Sequence, residues 1–284
     1  MFSKFSKYLL FALVAILIAS CSDNSNSPIS NPDQDAYNAA NGVKGAQIYD
    51  HVLNYIGADQ KNYPNAYTNF FRCKSCHGWD LQGQKGVLIG KTPTATYPTA
   101  SAINLYDWAH SHTIREVFDA IKNTGGRVFS DTYDSKHPDY GKILTDAQIW
   151  DAVKFLKVNA HNYLDFYDIT TTGSYPTGTI TFSNIGKAGN AAAGLVTYKA
   201  KCEVCHGSDG KKIDVYCQGL FMGEMFRKDP HEMQHKAIWG MPMDREHVDG
   251  GCKFANYMPI LDISDQDIRN MMVMGKDTVM FPGK

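Results

Sequence analysis

Two pentapeptides carry the chemistry of this chain: Cys73-Lys74-Ser75-Cys76-His77 and Cys202-Glu203-Val204-Cys205-His206. Two cysteines three positions apart can each add a thiol across one vinyl group of a single haem, forming two thioethers. The histidine after the second cysteine then lies where it can ligate the iron from the proximal side. This is the attachment pattern of c-type haem. It occurs twice, so two covalently bound haem c groups are expected, on Cys73, Cys76 and His77 and on Cys202, Cys205 and His206. A zinc ribbon would put both cysteine pairs on one metal, with about 15–20 residues between them. Here the pairs lie at 73–76 and 202–205, each with its own histidine, which argues against a zinc ribbon or a simple dithiol.

The sixth ligand of each iron follows from where the methionines stand. After Met1 the next methionine is Met222, so a haem in the first half has no methionine to draw on. Its candidates are His51, His110, His112, His137 and His161. His137-Pro138 lies eight residues before Thr145, and Met258-Pro259 lies six before Ser264. Both dipeptides precede a capped helix. His137 is therefore the expected distal ligand of haem 1, with His110 and His112 as rivals. Met258 is the expected ligand of haem 2, with Met241 and Met243 as rivals and His231, His235 and His247 behind them. Metal ligation is thus expected at His77, His137, His206 and Met258. A thioether raises the potential relative to a second imidazole, so haem 1 is expected to be the lower-potential centre.

The elements that must position these residues recur. A helix is expected near 44–55, before the first pentad, and another near 189–199, before the second. Residues 113–123 place Ile114, Val117, Phe118 and Ile121 on one helical stripe, stopped by Gly125-Gly126. The second-half counterpart is expected over 230–239, ending at Gly240. Thr145-Asp146-Ala147-Gln148 and Ser264-Asp265-Gln266-Asp267 read as capping boxes. They open closing helices that run to about Val158 and Met274. Residues 166–186, rich in Thr, Gly, Ser and Pro, read as a linker holding a small hairpin around Thr179-Ile180-Thr181-Phe182.

This order resembles class I cytochrome c domains: helix, CxxCH, loops, distal-ligand loop, helix. The second half carries the family-like Ala200-Lys201-Cys202-Glu203-Val204-Cys205-His206-Gly207 and Met258-Pro259 shortly before Ser264. The first half resembles the family at its pentad and last helix and departs from it in residues 56–71 and in its distal loop. The resemblance implies an all-α fold of two cytochrome c-like haem domains, 36–165 and 187–284, joined by the linker.

The first twenty residues read as a targeting segment. Lys4 and Lys7 precede an apolar run over 8–19, too short to cross a bilayer. It ends in Ile18-Ala19-Ser20-Cys21, which resembles the bacterial lipobox and implies lipidation of Cys21. Ser22 after that cysteine points to the outer membrane by analogy with bacterial sorting. Residues 21–35 read as a flexible tether. The expected place is an exported, lipid-anchored protein facing the periplasm or the cell surface. Of seven cysteines, four serve the pentads and Cys21 the lipid, which leaves Cys217 and Cys252. An oxidising compartment makes a disulfide between them the plain expectation; a cysteine ligand or reactive thiol beside haem 2 is the alternative.

The net charge is −1, and no basic block marks a nucleic-acid surface. The expected function is electron transfer between periplasmic or surface donor and acceptor proteins. Two other readings stay open. One is a di-haem oxidoreductase, similar to thiosulfate dehydrogenases or peroxidases. The other is a haem subunit of a larger dehydrogenase complex.

Overall fold

A computed structural model of the chain describes residues 31–52, 71–94, 97–128, 136–214, 220–249 and 252–283. Lipidation at Cys21 and the partner cysteine Cys217 lie outside these residues.

The first half opens with α1 (Pro32–Ala39), whose first turn falls in the segment read as a tether. Asn31 accepts hydrogen bonds from the backbone of Asp33 and Gln34, and Pro32 occupies the first turn, so the local start signal outweighs the polar composition. Helix α2 (Gly42–His51) follows and is capped by Asn41. The first pentad forms α3 (Cys73–His77). Next come α4 (Leu105–Ser111) and α5 (Ile114–Lys122), the latter with a Thr113/Glu116 capping box. Helix α6 (Asp146–Lys154) starts at the expected Thr145/Gln148 box and continues as a π-helical turn, Phe155–Asn159.

The second half has the same frame. Helix α7 (Ala191–Lys201) leads into α8 (Glu203–His206), the second pentad. Helices α9 (Met222–Lys228) and α10 (Pro230–Trp239) follow, and α11 (Asp265–Met274) closes the chain from its Ser264/Asp267 box. None of the described helices is long and apolar enough to cross a membrane.

Among the described residues, two antiparallel hairpins interrupt a mainly helical fold. Strands β1 (Asp168–Thr172) and β2 (Thr179–Ser183) pair in the segment read as a linker. That segment is anchored: Phe166 and Tyr167 are fully buried, and the Tyr175 hydroxyl accepts from the Ala100 amide at 2.9 Å. Strands β3 (Met241–Asp249) and β4 (Cys252–Met258) replace the expected second distal loop with a bulged hairpin. The sequence Asp249-Gly250-Gly251 between these strands is a turn signal that the loop reading passed over.

In both halves the helix before the pentad crosses the closing helix at a glycine. A Cβ on Gly45 would overlap the carbonyl oxygen of Asp151, and one on Gly194 would overlap that of Asn270. Only glycine lets the backbones approach so closely. The crossings are pinned alike. The Asn41 amide donates to Asp151 Oδ1 at 2.6 Å, and the Asn190 amide donates to Asn270 Oδ1 at 2.8 Å.

The halves share one continuous core. Helix α10 supplies much of the seam. His235 stacks on Trp79 with centroids 3.5 Å apart, and the Gln234 amide donates to the Trp79 carbonyl at 3.1 Å.

Candidate haem sites

The first pentad opens onto an apolar cavity of about 320 Å³. Cys73 and His77 lie on one wall, and α2, α5 and α6 contribute Tyr49, Val117, Ile121, Ala152, Phe155 and Leu156. The size falls in the range of small-molecule and cofactor sites, roughly 300–1,000 Å³. His137 lies on the same cavity lining as His77. Burial, and then the charge of His137, push the His77 imidazole down to about 3. His77 is therefore neutral, the form that binds a metal.

His137 keeps accessible surface because its ring borders the open cavity, yet enough protein surrounds it that burial lowers its pKa. Its Nδ1 lies 3.1 Å from the Pro138 carbonyl. That carbonyl can only accept, so Nδ1 carries the proton and Nε2 keeps its lone pair for a metal.

The other histidines of the first half are engaged elsewhere. His110 stacks on Tyr106 at 4.1 Å, with Nδ1 at 2.8 Å from the Tyr106 carbonyl. His112 does the same with Trp108, at 4.2 and 2.8 Å. His161 faces Asp265 at 3.4 Å and stacks on Trp239. His51 is buried within α2 and does not line the cavity.

Charges around the first pentad are paired inside the protein. Asp50 binds Arg72 at 2.7 Å and Lys74 at 3.1 Å. Burial opposes ionisation of Asp50, but Lys74 and Arg72 outweigh it and hold the carboxyl well below its ordinary range. Arg115 is tied to Asp33 and Asp119. Arg127 lies in the turn before the distal segment. It is buried, and its backbone brackets the distal segment: its amide donates to the His137 carbonyl at 3.1 Å, and its carbonyl accepts from Asp139 at 2.8 Å. Trp108 and Tyr140 line the cavity, whereas Trp79 turns to the seam, with the Lys74 ammonium 4.4 Å above its ring.

The second pentad sits on the same local support. Tyr198 donates to the Gly207 carbonyl at 2.6 Å, as Tyr49 donates to the Gly78 carbonyl at 2.5 Å. Both proximal histidines have a buried Nδ1 with no hydrogen bond, His77 in the first half and His206 in the second. Met258 is the last residue of β4, half-buried, with its backbone paired to Met241 and packed on Gly240. Of the rival ligands, His231 stacks on Phe182 and His235 on Trp79, so α10 turns both toward the hairpin and the first half. Met243 and His247 lie in β3, and the backbone of Cys252 pairs with Asp249.

The four pentad cysteines form no disulfide with one another. Burial pushes Cys73 up to about 11 and Cys202 up to about 11, and burial together with Cys73 pushes Cys76 up to about 12. A reactive dithiol needs the opposite shift. Among the described residues no cluster of histidine, cysteine and carboxylate forms a metal site. An apolar cavity, a neutral proximal imidazole and protonated thiols suit a porphyrin that takes sulfur by addition across its vinyl groups.

No curated protein and no solved structure matches the chain. Residues 42–159 match the protein-family model described as Cytochrome c, from the first residue of α2 to the last of the π turn. The match supports reading the first half as a c-type cytochrome domain with covalently bound haem c, and so a haem electron-transfer protein.

Proposed function

We propose that the chain is a di-haem c-type cytochrome that passes electrons between a donor and an acceptor protein. It would carry haem 1 on Cys73, Cys76 and His77 with His137 as distal ligand. Haem 2 would be carried on Cys202, Cys205 and His206 with Met258 as distal ligand. The observation that carries the reading is the repeated support of the two pentads. Asparagine cap, helix-crossing glycine and carbonyl-bound tyrosine recur at 41, 45 and 49 and at 190, 194 and 198, each followed by a CxxCH turn.

Haem c supplies a one-electron Fe(II)/Fe(III) couple when bound. The chain's residues do the rest. The cysteines fix the ring, Tyr49 and Tyr198 hold the turn after each proximal histidine, and the apolar walls of the first cavity exclude water. His137, with its proton committed to Pro138, presents Nε2. Low dielectric around His77 and His137 disfavours added positive charge, and a second imidazole favours Fe(III), so axial chemistry and burial together set the potential. Lipidation at Cys21 would tether the protein to a bacterial membrane, the outer one by the sorting analogy, and a disulfide between Cys217 and Cys252 would close the second domain.

Electron paramagnetic resonance with near-infrared magnetic circular dichroism on the oxidised, purified protein tests the ligand sets. Two low-spin ferric signals, one bis-imidazole and one imidazole–thioether, are expected. A high-spin haem, or two haems of the same ligand type, contradicts the assignment.

A further inference from the structure

The segment that carries His137 is held by a clamp at the end of α5. Asn123 caps that helix in the left-handed region, at φ 44 and ψ 55, with its amide on the Asp119 carbonyl. Its side-chain Nδ2 donates to the His137 carbonyl at 2.7 Å and to the Pro138 carbonyl at 3.2 Å. The second of these carbonyls is the one that fixes the His137 tautomer. The turn after Asn123 continues the grip. The Gly125 amide donates to Asp139 Oδ2 at 2.8 Å, and Arg127 and Pro138 form a backbone bridge. A Cβ on Gly126 would overlap both Asn123 Nδ2 and the His137 carbonyl oxygen, so the packing is tight. Asn123 also lines the cavity beside His137.

We infer that Asn123 is the positioning residue of the distal imidazole, holding His137 in place so that haem 1 stays closed to outside ligands. The inference rests on His137 being the sixth ligand. One side chain spans the two successive carbonyls that flank Pro138, while its own backbone is locked to the helix end. Freed from it, the segment would keep the Arg127 and Asp139 contacts but lose the bond to the carbonyl that orients the ring. Loss of one such hydrogen bond shifts a local open–closed equilibrium by about tenfold.

The test uses the full-length, haem-loaded protein. Asn123→Gly keeps the left-handed backbone and removes only the amide; Asn123→Asp tolerates the same backbone and cannot donate. Carbon monoxide is the probe, because it binds ferrous haem only when the sixth position is vacated. Both variants are expected to take up carbon monoxide at haem 1 about tenfold faster than the parent, with an unchanged haem 2 spectrum and nearly unchanged thermal unfolding. His137→Ala is the reference and should leave haem 1 fully open. If His137→Ala opens haem 1 while both Asn123 variants bind carbon monoxide at the parental rate, the positioning role is wrong and the ligand assignment stands. If His137→Ala leaves haem 1 closed, both fall. A clamp with only a structural role would lower the unfolding temperature and leave carbon monoxide uptake unmoved.

Discussion

The Tyr198 hydroxyl donates to the Gly207 carbonyl at 2.6 Å, one residue beyond the second CxxCH histidine. Tyr49 makes the same bond to Gly78 in the first half, where the accepting glycine is buried as well. In each case a residue on the helix before the pentad fixes the turn after it, so proximal histidine and scaffold move as one body.

Removing either hydroxyl leaves a carbonyl without its partner. Tyr49→Phe and Tyr198→Phe should each cost about 1–3 kcal/mol, the range for an unsatisfied buried acceptor, with Tyr49 at the upper end. Denaturant unfolding of the purified variants measures this. Changes within experimental error at Tyr49 would mean that the bond does not anchor the turn.

The helix crossings give a steric prediction. Gly45→Ala and Gly194→Ala drive a methyl into a backbone carbonyl that cannot rotate away. Each should cost at least the ~1–3 kcal/mol of ordinary overpacking. Thermal melts followed by circular dichroism will report it, and a neutral result would place the helix pairs farther apart than described.

Asp50 gives a pH dependence of defined sign. Its carboxyl is held below the ordinary value when folded, so its contribution is fully present above about pH 4 and is lost as pH falls toward the folded value. Asp50→Asn leaves Arg72 and Lys74 facing a neutral amide and should cost about 3–5 kcal/mol near neutrality, as for other broken buried pairs. Stability measured from pH 7 down to pH 2 should show parent and variant converging. A constant gap across that range would remove Asp50 from the acid transition.

The two haems should titrate separately, haem 1 lower. His137→Met should raise the lower wave, and Met258→His should lower the upper one. Each shift should be on the order of a tenth of a volt or more, a fraction of the ~0.8 V range open to axial ligands. Spectroelectrochemistry resolves the waves; a haem 1 lying above haem 2 would reverse the ligand assignment.

What sequence could and could not show follows from the range of the interactions. The pentads, the capping boxes at Thr145 and Ser264 and the helix over 230–239 are local signals, and each lies where it was expected. His137 was reached from the absence of methionine in the first half and its place before the Thr145 box, and it lines the same cavity as His77. The seam was not legible: Trp79 stacks on a histidine more than 150 positions away, which no local pattern announces. The segment of Met258 was read as a loop because Pro242 and the charged run Asp244-Arg245-Glu246 mask the alternation of a strand. Helix α1 carried a start signal in Asn31-Pro32, but surrounding serines and asparagines made it look unstructured. The glycines at 45 and 194 looked like ordinary helix residues until the crossing helices were in place.

Intact mass of the purified mature protein, beside a Cys202→Ala/Cys205→Ala variant, tests the central claim most directly. The parent should weigh its polypeptide, with any N-terminal processing and lipid, plus two porphyrins, and the variant should be lighter by one porphyrin beyond the mass of the substituted sulfurs. A parent carrying a single porphyrin, or a variant that keeps both, would contradict haem at the second pentad.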